Sequence, residues 1–326
     1  MATIKDVAAE AGLSVGTVSR ILNNRGYISP KAREKVENAM RKLKYQPNEI
    51  ARSLSQSNSS MVGIIIPTLL NPYFSTLFKY LDDELDARGM QPLIFISDGD
   101  DDKEIRFLDK CKKNRVSGII LCSGNFKAVR LVDYGVPIVS IERMGLEGAI
   151  SVVCDNYNGG KLAARHLIER GCRHLVMIAG DQDEAMPADS RVCGFEECAK
   201  AAGLGTTITH ATKEMFHSQD YRALVESVFS RNPEMDGLFC SSDIIAATAV
   251  KIASEKNISV PSSLKIIGFD DTWFSSSITP SLTTIRQPMK EMAMLAISSL
   301  ETAWKAGSFP SSMIKLDVSL IIREST

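Results

Sequence analysis

The segment "TIKDVAAEAGLSVGTVSRIL", residues 3–22, has the pattern of two short helices joined by a tight turn. Apolar residues recur at helical spacing in its first half, and Gly12 is a suitable end for that helix. Ser14 is a suitable N-cap for the second helix, whose apolar positions begin at Val18. This second helix contains β-branched residues and Gly16, which costs about 1 kcal/mol relative to Ala. The sequence therefore predicts a second helix whose residues have low helix propensity and are not explained by the stability of the helix.

The N-terminal segment is basic. Residues 1–60 contain ten Lys or Arg and five Asp or Glu, whereas the net charge of the 326-residue chain is −1. Ser29 and Pro30 predict a third helix, Pro47 starts a possible fourth, and "SQSNSS" is a polar linker. A small basic segment before an acidic body is typical of proteins that bind a polyanion.

From Met61 onward, short apolar runs alternate with helical patterns. Strands are predicted at "MVGIIIP", "QPLIFIS", "VSGIILCS" and "VPIVSI" and, after Asn156, at "RHLVMIAG", "MDGLFCSSD" and "SLKIIGFDD". Helices are predicted at 73–89, 102–114, 126–134, 160–170, 189–202, 221–230 and 244–256. Apolar strands alternating with helices indicate parallel sheets covered on both faces. Two such α/β layers form a cleft at the carboxyl ends of their strands, where ligands bind.

Polar residues stand at four of the predicted strand ends. They are Asp98, Glu142 with Arg143, Asp243, and Asp270 with Asp271. One such carboxylate is often only the N-cap of the next helix. Polar residues at four strand ends suit a polyhydroxylated ligand, which offers hydroxyl donors and apolar ring faces.

Several functional classes are disfavoured. Seven cysteines form no C-x-x-C pair and four histidines form no zinc-binding spacing, so we expect reduced thiols and neither metal nor cofactor. No apolar run reaches the roughly 18 residues of a membrane span, and no secretory signal is evident, which predicts a cytoplasmic protein without a membrane partner. An enzyme is one alternative, but G-x-G-x-x-G and GK[ST] motifs are missing, and no G-x-S-x-G nucleophile elbow follows a predicted strand. A secreted binding protein is another, which the basic N-terminal segment argues against.

The sequence resembles the lactose-repressor (LacI/GalR) family. The resemblance begins with the headpiece-like stretch "MATIKDVAAEAGLSVGTVSRILNNRGYISPKAREKVENAMRKLKYQPNEIARSL", residues 1–54. In the family's order there follow "VGIIIPTLLNPYFSTL", "ERGCRHLVMIAG", "SRVCGF", "CSSDIIAA", "VPSSLKIIGFDDT" and "PSLTTIRQP". The "IRQP" ending and short C-terminus are most similar to members that repress sucrose and ribose operons in Gram-positive bacteria.

The resemblance implies an α/β protein with an N-terminal all-α helix-turn-helix headpiece. The headpiece is expected at 1–58 with a hinge helix at about 47–56, followed by a periplasmic-binding-protein-like effector domain at 59–326. That domain consists of two doubly wound α/β subdomains. We expect the first at about 60–157 plus 289–310, and the second at about 158–288 plus 311–326.

The resemblance also implies DNA contacts. The second helix is expected in the major groove, with Val15, Gly16 and Arg20 at the bases and Arg20 paired to guanine. Gly16 stands where many relatives carry a polar residue. The expected phosphate contacts are Ser14, Thr17, Ser19, Asn23 and Tyr45. In the hinge "ARSL", Ala51 and Arg52 contact the minor groove and Leu54 is a wedge between base pairs.

The same resemblance implies a sugar effector held between the subdomains. The expected contacts are Tyr73, Phe74, Asp98, Glu142, Arg143, Arg191, Phe216, Ser242, Asp243, Asp270, Trp273 and Gln287. A core position for Phe216 and a cleft-spanning salt bridge for Arg191 remain alternatives. The partners implied are palindromic operator DNA, the sugar and a second copy of the chain in a homodimer. A purine ligand or a phosphoprotein corepressor is the alternative within the family.

Overall fold

The computed structural model describes residues 2–22, 28–45, 60–123, 131–181, 186–307 and 311–326. They belong to two compact units, Met1–Ser60 and Met61–Thr326, called here the headpiece and the α/β unit. The sequence pattern predicts this boundary two residues earlier, between 58 and 59.

The headpiece contains three helices in its described part. They are α1 (Ile4–Ala11), α2 (Val15–Leu22) and α3 (Pro30–Leu43). Thr3 caps α1, and Gly12 ends it with a left-handed φ of 64° that glycine adopts without strain. Val7, Val18 and Val36, one from each helix, are at most 1% exposed and form the centre of a small core. The predicted helical N-terminal domain is confirmed.

The first sheet of the α/β unit has six strands. They are β1 (Met61–Ile66), β2 (Gln91–Ile96), β3 (Gly118–Leu121), β4 (Ile138–Ile141), β5 (Ile150–Cys154) and β11 (Ser312–Leu316). All pair in parallel, in the order β11-β5-β4-β3-β1-β2. Helices α4 (Pro72–Asp86) and α11 (Met289–Ala306) cover one face, and α5 (Asp101–Lys113) covers the other.

The second sheet also has six strands. They are β6 (Leu175–Ala179), β7 (Thr206–His210), β8 (Gly237–Cys240), β9 (Lys265–Asp270), β10 (Thr283–Arg286) and β12 (Ser319–Ile321). Their order is β12-β10-β9-β8-β6-β7, and β12 pairs antiparallel to β10. Helices α6 (Asn156–Glu169) and α7 (Ser190–Ala201) cover one face. Helices α9 (Arg222–Arg231) and α10 (Asp243–Glu255) cover the other, and α8 (Lys213–Ser218) follows β7.

The chain passes between the two layers three times, after β5, after β10 and between β11 and β12. The two predicted doubly wound subdomains are confirmed. The placement of 311–326 in the second subdomain is wrong for β11, which pairs with β5 from Ser312↔Ile150 onward. The half-exposed pattern of β11 suits the edge of either sheet, so the sequence does not distinguish between them.

Three smaller features complete the description. Of the helix predicted at 126–134, Leu131–Tyr134 forms a short 3-10 turn, and 126–130 lies outside the described residues. All seven cysteines are free thiols, and five are buried. Among the helices of the described ranges, none has the length and apolarity that a membrane span requires.

Candidate functional site

A cavity of about 220 Å³, called here the cleft, lies at the carboxyl ends of the strands of both sheets. Its walls come from the loops after β1 to β4 in the first sheet and after β6 to β10 in the second. Nine of the twelve predicted ligand residues line it: Tyr73, Phe74, Glu142, Arg143, Arg191, Phe216, Ser242, Asp270 and Gln287. A molecule bound here would touch both layers.

Asp270 and Gln287 form the polar floor on the side of the second sheet. Asp270 ends β9 with φ 112°, a backbone conformation that non-glycine residues rarely adopt. Burial raises the pKa of its carboxyl well above the usual value, and the carboxylate of Asp243 raises it further. Gln287 Nε2 donates to Asp270 Oδ1 at 2.7 Å. The buried Gln287 Oε1 has no partner among the described residues, so it is an acceptor available to a ligand hydroxyl.

Glu142 and Arg191 are connected through a third residue, Asn156, which the sequence pattern did not indicate. Asn156 Nδ2 donates to Glu142 Oε2 at 2.8 Å, and Arg191 Nε donates to Asn156 Oδ1 at 2.7 Å. Glu142 Oε1 accepts from the backbone N–H of Cys154 at 2.6 Å. Arg191 Nη1 donates to the carbonyl oxygen of Ser241 at 2.7 Å. Opposite charges at the cleft therefore share one buried amide.

Two helices approach very closely to bring Arg191 there. A Cβ built on Gly160 of α6 would lie 2.0 Å from the Arg191 carbonyl oxygen. A Cβ built on Gly194 of α7 would lie 2.0 Å from the carbonyl oxygen of Tyr157. Only glycine permits these two contacts, which hold the first turns of α6 and α7 together.

Aromatic rings form the apolar wall of the cleft. The rings of Tyr73 and Phe216 each meet Phe74 edge-on, with centroid distances of 5.0 and 6.1 Å. The buried Tyr73 hydroxyl has no partner among the described residues, and burial raises its pKa well above the usual value. From α8, His217 packs against the backbone of Gly99, where a Cβ would lie 2.4 Å from Nε2. The short helix α8 of the second layer thus closes against the first layer.

Three predicted ligand residues do not line the cleft. Asp98 follows the edge strand β2, is exposed, and pairs with Lys103 Nζ at 2.5 Å. Trp273 is 70% exposed in a 3-10 turn, where it meets Phe274 edge-on. Neither residue lines the cavity, although Gly99 and Asp101 of the loop after β2 do, and the ligand contacts of Asp98 and Trp273 stay predictions.

Asp243 has a structural role instead. Its Oδ2 accepts from the N–H and hydroxyl of Thr272 at 2.7 and 2.9 Å and from the Ser275 hydroxyl at 2.7 Å. Its Oδ1 accepts from the Thr284 hydroxyl. Burial raises the pKa of the carboxyl to about 6, and these hydrogen bonds oppose the rise. Asp243 joins the start of α10 to the loop after β9 and does not face the cavity.

The cleft also contains residues that sequence reasoning missed. They are Asn71, Asp101, Ser123, Asp181, Lys213, His217, Tyr221 and Ser241 among others. Ser123, Asp181 and Ser241 each follow an observed strand, β3, β6 or β8, within two residues, so the strand-end signal was sufficient to find them. The residues of α8 follow a strand that the apolar pattern did not show, because β7 is only partly buried.

The candidate DNA-facing surface is the outer side of α2. Val15 is 41% exposed, and Gly16 and Arg20 are exposed as well. The Ser14 hydroxyl accepts from the Thr17 N–H at 3.1 Å and so caps the helix. Ser19 and Tyr45 are half-buried. The predicted contacts Asn23, Ala51, Arg52 and Leu54, and with them the hinge helix, lie outside the described residues.

Comparison with known proteins agrees with this architecture. Residues 3–48 match the model of bacterial regulatory proteins, lacI family, and residues 164–326 match the periplasmic binding protein-like domain. The chain is 37% identical to the sucrose operon repressor of Streptococcus mutans over 300 residues, 92% of each protein. It is 35% identical to the ribose operon repressor of Bacillus subtilis over 326 residues, 100% of this chain and 99% of that relative.

Solved structures share the fold. A periplasmic binding protein/LacI transcriptional regulator from Alkaliphilus metalliredigens, complexed with D-xylulofuranose, is 28% identical with a TM-score of 0.72. The match covers 82% of this chain and 99% of that one. The lac repressor dimer bound to operator and an anti-inducer is 23% identical, with a TM-score of 0.87 over 100% of this chain and 99% of that chain.

A three-helix headpiece in one chain with two α/β layers that share a cleft defines a regulator with a periplasmic-binding-protein-like domain. The chain belongs to the lacI family of bacterial regulatory proteins. The sequence-based assignment to this family, and to the group that includes sucrose and ribose operon repressors, is confirmed.

Proposed function

We propose that the protein is a cytoplasmic transcriptional repressor of a carbohydrate-utilisation operon. As a homodimer it binds a palindromic operator, and a small sugar bound in the cleft releases it. The observation that carries this proposal is the cleft itself, because polar groups from both layers line one cavity in a lacI-family chain. The protein acts by binding and not by catalysis.

The exposed surface of α2 supports the DNA-binding half. Arg20 can donate two parallel hydrogen bonds to guanine, worth about 1–3 kcal/mol of discrimination. Val15 can contact a thymine methyl, and Gly16 lets the helix backbone approach the base edges. One headpiece reads one half-site, so a dimer is needed to read a palindrome.

The chemistry of the cleft supports a neutral, polyhydroxylated ligand. Gln287 Oε1 and the Tyr73 hydroxyl are buried polar atoms that a ligand hydroxyl can pair, and Arg191 supplies a donor. The rings of Phe74 and Phe216 suit the apolar face of a sugar ring. Carboxyl groups of Asp101, Glu142, Asp181 and Asp270 line the cavity together with the cations Arg143, Arg191 and Lys213, a mixed charge that suits a neutral ligand.

Release follows from the position of the ligand. The two layers can adopt different relative angles, and a sugar held by both layers favours one of them. The size of the shift depends only on how much more tightly the sugar binds the favoured arrangement than the other. Such coupling is typically about 1–3 kcal/mol, or about 5–150-fold in operator affinity. The angle acts on the hinge segment between the headpiece and β1. Bound operator must weaken sugar binding by the same factor.

A thermal-shift screen with D-ribose, sucrose, D-ribose 5-phosphate and hypoxanthine tests the ligand class. A binding sugar raises the melting temperature because it stabilises only the folded state. Asp270→Asn should remove the shift, whereas Asp98→Asn, a strand-end carboxylate outside the cleft, should keep it. A shift with hypoxanthine alone assigns a purine regulator, and no shift with any ligand removes the sugar from the proposal.

Operator release is measured separately. A duplex selected from a random DNA pool by the purified protein is titrated with and without the stabilising sugar. Weaker DNA binding with sugar supports induction, and tighter binding makes the sugar a corepressor. Failure to enrich any sequence contradicts the DNA-binding half.

A further inference from the structure

Asn156 is the first residue of α6, directly after the chain leaves the first sheet, and is 2% exposed. Its amide makes three hydrogen bonds: from Nδ2 to Glu142 Oε2 at 2.8 Å and to the Cys154 carbonyl at 3.2 Å, and from Arg191 Nε to Oδ1 at 2.7 Å. A carboxylate only accepts and a guanidinium only donates, so these partners fix which way the amide points.

The two partners belong to different layers. Glu142 follows β4 of the first sheet, and Arg191 lies in the first turn of α7 on the second. Both are held at their other side as well, Glu142 by the Cys154 N–H and Arg191 by the Ser241 carbonyl. The Arg191 guanidinium also lies over the Phe269 ring, 3.5 Å from its centroid. The amide is therefore the direct link between a carboxylate of one layer and a cation of the other.

We infer that Asn156 is a positioning residue for the effector: its amide sets the orientation of Arg191 and Glu142 toward a ligand in the cleft. This inference rests on the proposed function, because it takes the cleft as the sugar site. The link needs a side chain of this length with one donor and one acceptor. An aspartate would oppose the Glu142 carboxylate, and an alanine would leave both charges without a shared partner.

Reversing the polarity of the link is a direct test. In Asn156→Asp, two carboxylates face each other at position 142 and 156. In Glu142→Gln, the amide oxygen still accepts from the Cys154 N–H. The NH2 group of the new amide then faces the NH2 group of Asn156, so two donors oppose each other. In the double variant, the new amide at 142 donates to the new carboxylate at 156, which still accepts from Arg191. The link between positions 142, 156 and 191 is restored with donor and acceptor exchanged, and only the longer hydrogen bond from position 156 to the Cys154 carbonyl is lost.

Sugar affinity is measured by calorimetry with D-ribose and with sucrose, and stability by urea unfolding of the full chain. Each single variant should bind the sugar at least tenfold more weakly than wild type and unfold at lower urea. The double variant should bind the sugar at least threefold more tightly than Glu142→Gln, which lacks the same carboxylate, and should recover most of the urea midpoint. Asn158→Asp adds the same charge to the same helical turn without contacting Glu142 or Arg191, and should stay within twofold of wild type.

The outcomes separate the two proposals. If the double variant recovers stability but binds the sugar no more tightly than Glu142→Gln, Asn156 is only a structural link and the inference is overturned. If the single effects on the midpoint simply add in the double variant, no link exists. If wild type binds neither sugar, the proposed function fails for these ligands, and the unfolding data alone decide whether Asn156 links the layers.

Discussion

Gly160→Ala tests whether close contact between α6 and α7 sets the geometry of the cleft. A Cβ at position 160 would lie 2.0 Å from the Arg191 carbonyl oxygen and 2.9 Å from the Phe195 backbone nitrogen. Both are backbone atoms, so no side-chain rotation relieves the contact. To reach an ordinary contact of 3.4 Å, α7 must move away by about 1.4 Å.

The expected loss of stability follows from two opposing effects. Overpacking of a well-packed interior costs about 1–3 kcal/mol, and the upper end applies because neither backbone atom can yield. Replacing a helical glycine by alanine contributes about 1 kcal/mol in the other direction. We therefore expect the free energy of unfolding to fall by about 2 kcal/mol. Sugar affinity should fall as well, because the displaced backbone carries Arg191.

Urea unfolding followed by tryptophan fluorescence measures this change. The two tryptophans, Trp273 and Trp304, both lie in the α/β unit, so the signal reports that unit and not the headpiece. With an m-value of about 3 kcal/mol/M, the midpoint should fall by about 0.7 M. Gly205→Ala is the control, since nothing lies within 4 Å of a Cβ there. An unchanged or raised midpoint in Gly160→Ala would refute the close approach of the two helices.

Four further predictions address the DNA surface, the cleft and pH. Raising salt from 50 to 200 mM should weaken operator binding about a thousandfold, because roughly six phosphate contacts each release counterions; a flat response in a binding titration contradicts the headpiece assignment. Arg191→Ala should retain operator affinity but lose the response to D-ribose or sucrose in the same titration, and a normal response would leave Arg191 a structural role only. Gly16→Ala should stabilise the headpiece by up to about 1 kcal/mol yet weaken operator binding, as followed by circular dichroism and DNA titration; undiminished binding contradicts a close approach to DNA. Burial raises the pKa of Asp243 from 3.8 to about 6, so ionisation of this carboxyl lowers the wild-type free energy of unfolding as pH rises through this range. Relative to wild type, Asp243→Asn should therefore gain up to about 3 kcal/mol of unfolding free energy over the same range, as measured by urea unfolding. A difference between the two proteins that does not change with pH would exclude this titration.

The sequence predicts the layers well because fully apolar runs such as "GIII" leave few alternatives to buried strands. It also predicts Glu142 and Asp270 at the cleft, since both stand at the carboxyl ends of central strands. Asp98 does not line the cavity, since it follows the outermost strand β2, and sequence does not reveal strand order. The prediction fails for β11 for the same reason, as its half-exposed pattern is compatible with either sheet.

Individual side-chain roles are harder to predict than strand ends. Asp243 begins a helix after a strand, like a ligand residue, but its carboxyl turns toward Thr272 and Thr284, which are 29 and 41 residues away. Such partners meet only after both loops have folded, so local pattern cannot assign them. The role of Asn156 cannot be predicted from the sequence for a related reason. It depends on a hydrogen bond from Arg191, and helix α7 brings Arg191 to Asn156 only in the folded protein.

The small residues of α2 have a physical explanation that differs from that of the glycines in α6 and α7. Gly160 and Gly194 weaken their helices, but each permits a backbone contact that no other residue would allow. Among the described residues, a Cβ at Gly16 would meet only Ser14 Oγ, at 3.9 Å, so no contact there offsets the cost of a helical glycine. Val15 beside it is an exposed apolar side chain on a basic headpiece. A destabilising residue without a partner in the described part of the chain, next to an exposed apolar side chain, is consistent with another molecule that approaches α2 closely. A DNA major groove, with phosphates for the basic residues and methyl groups for Val15, matches that surface.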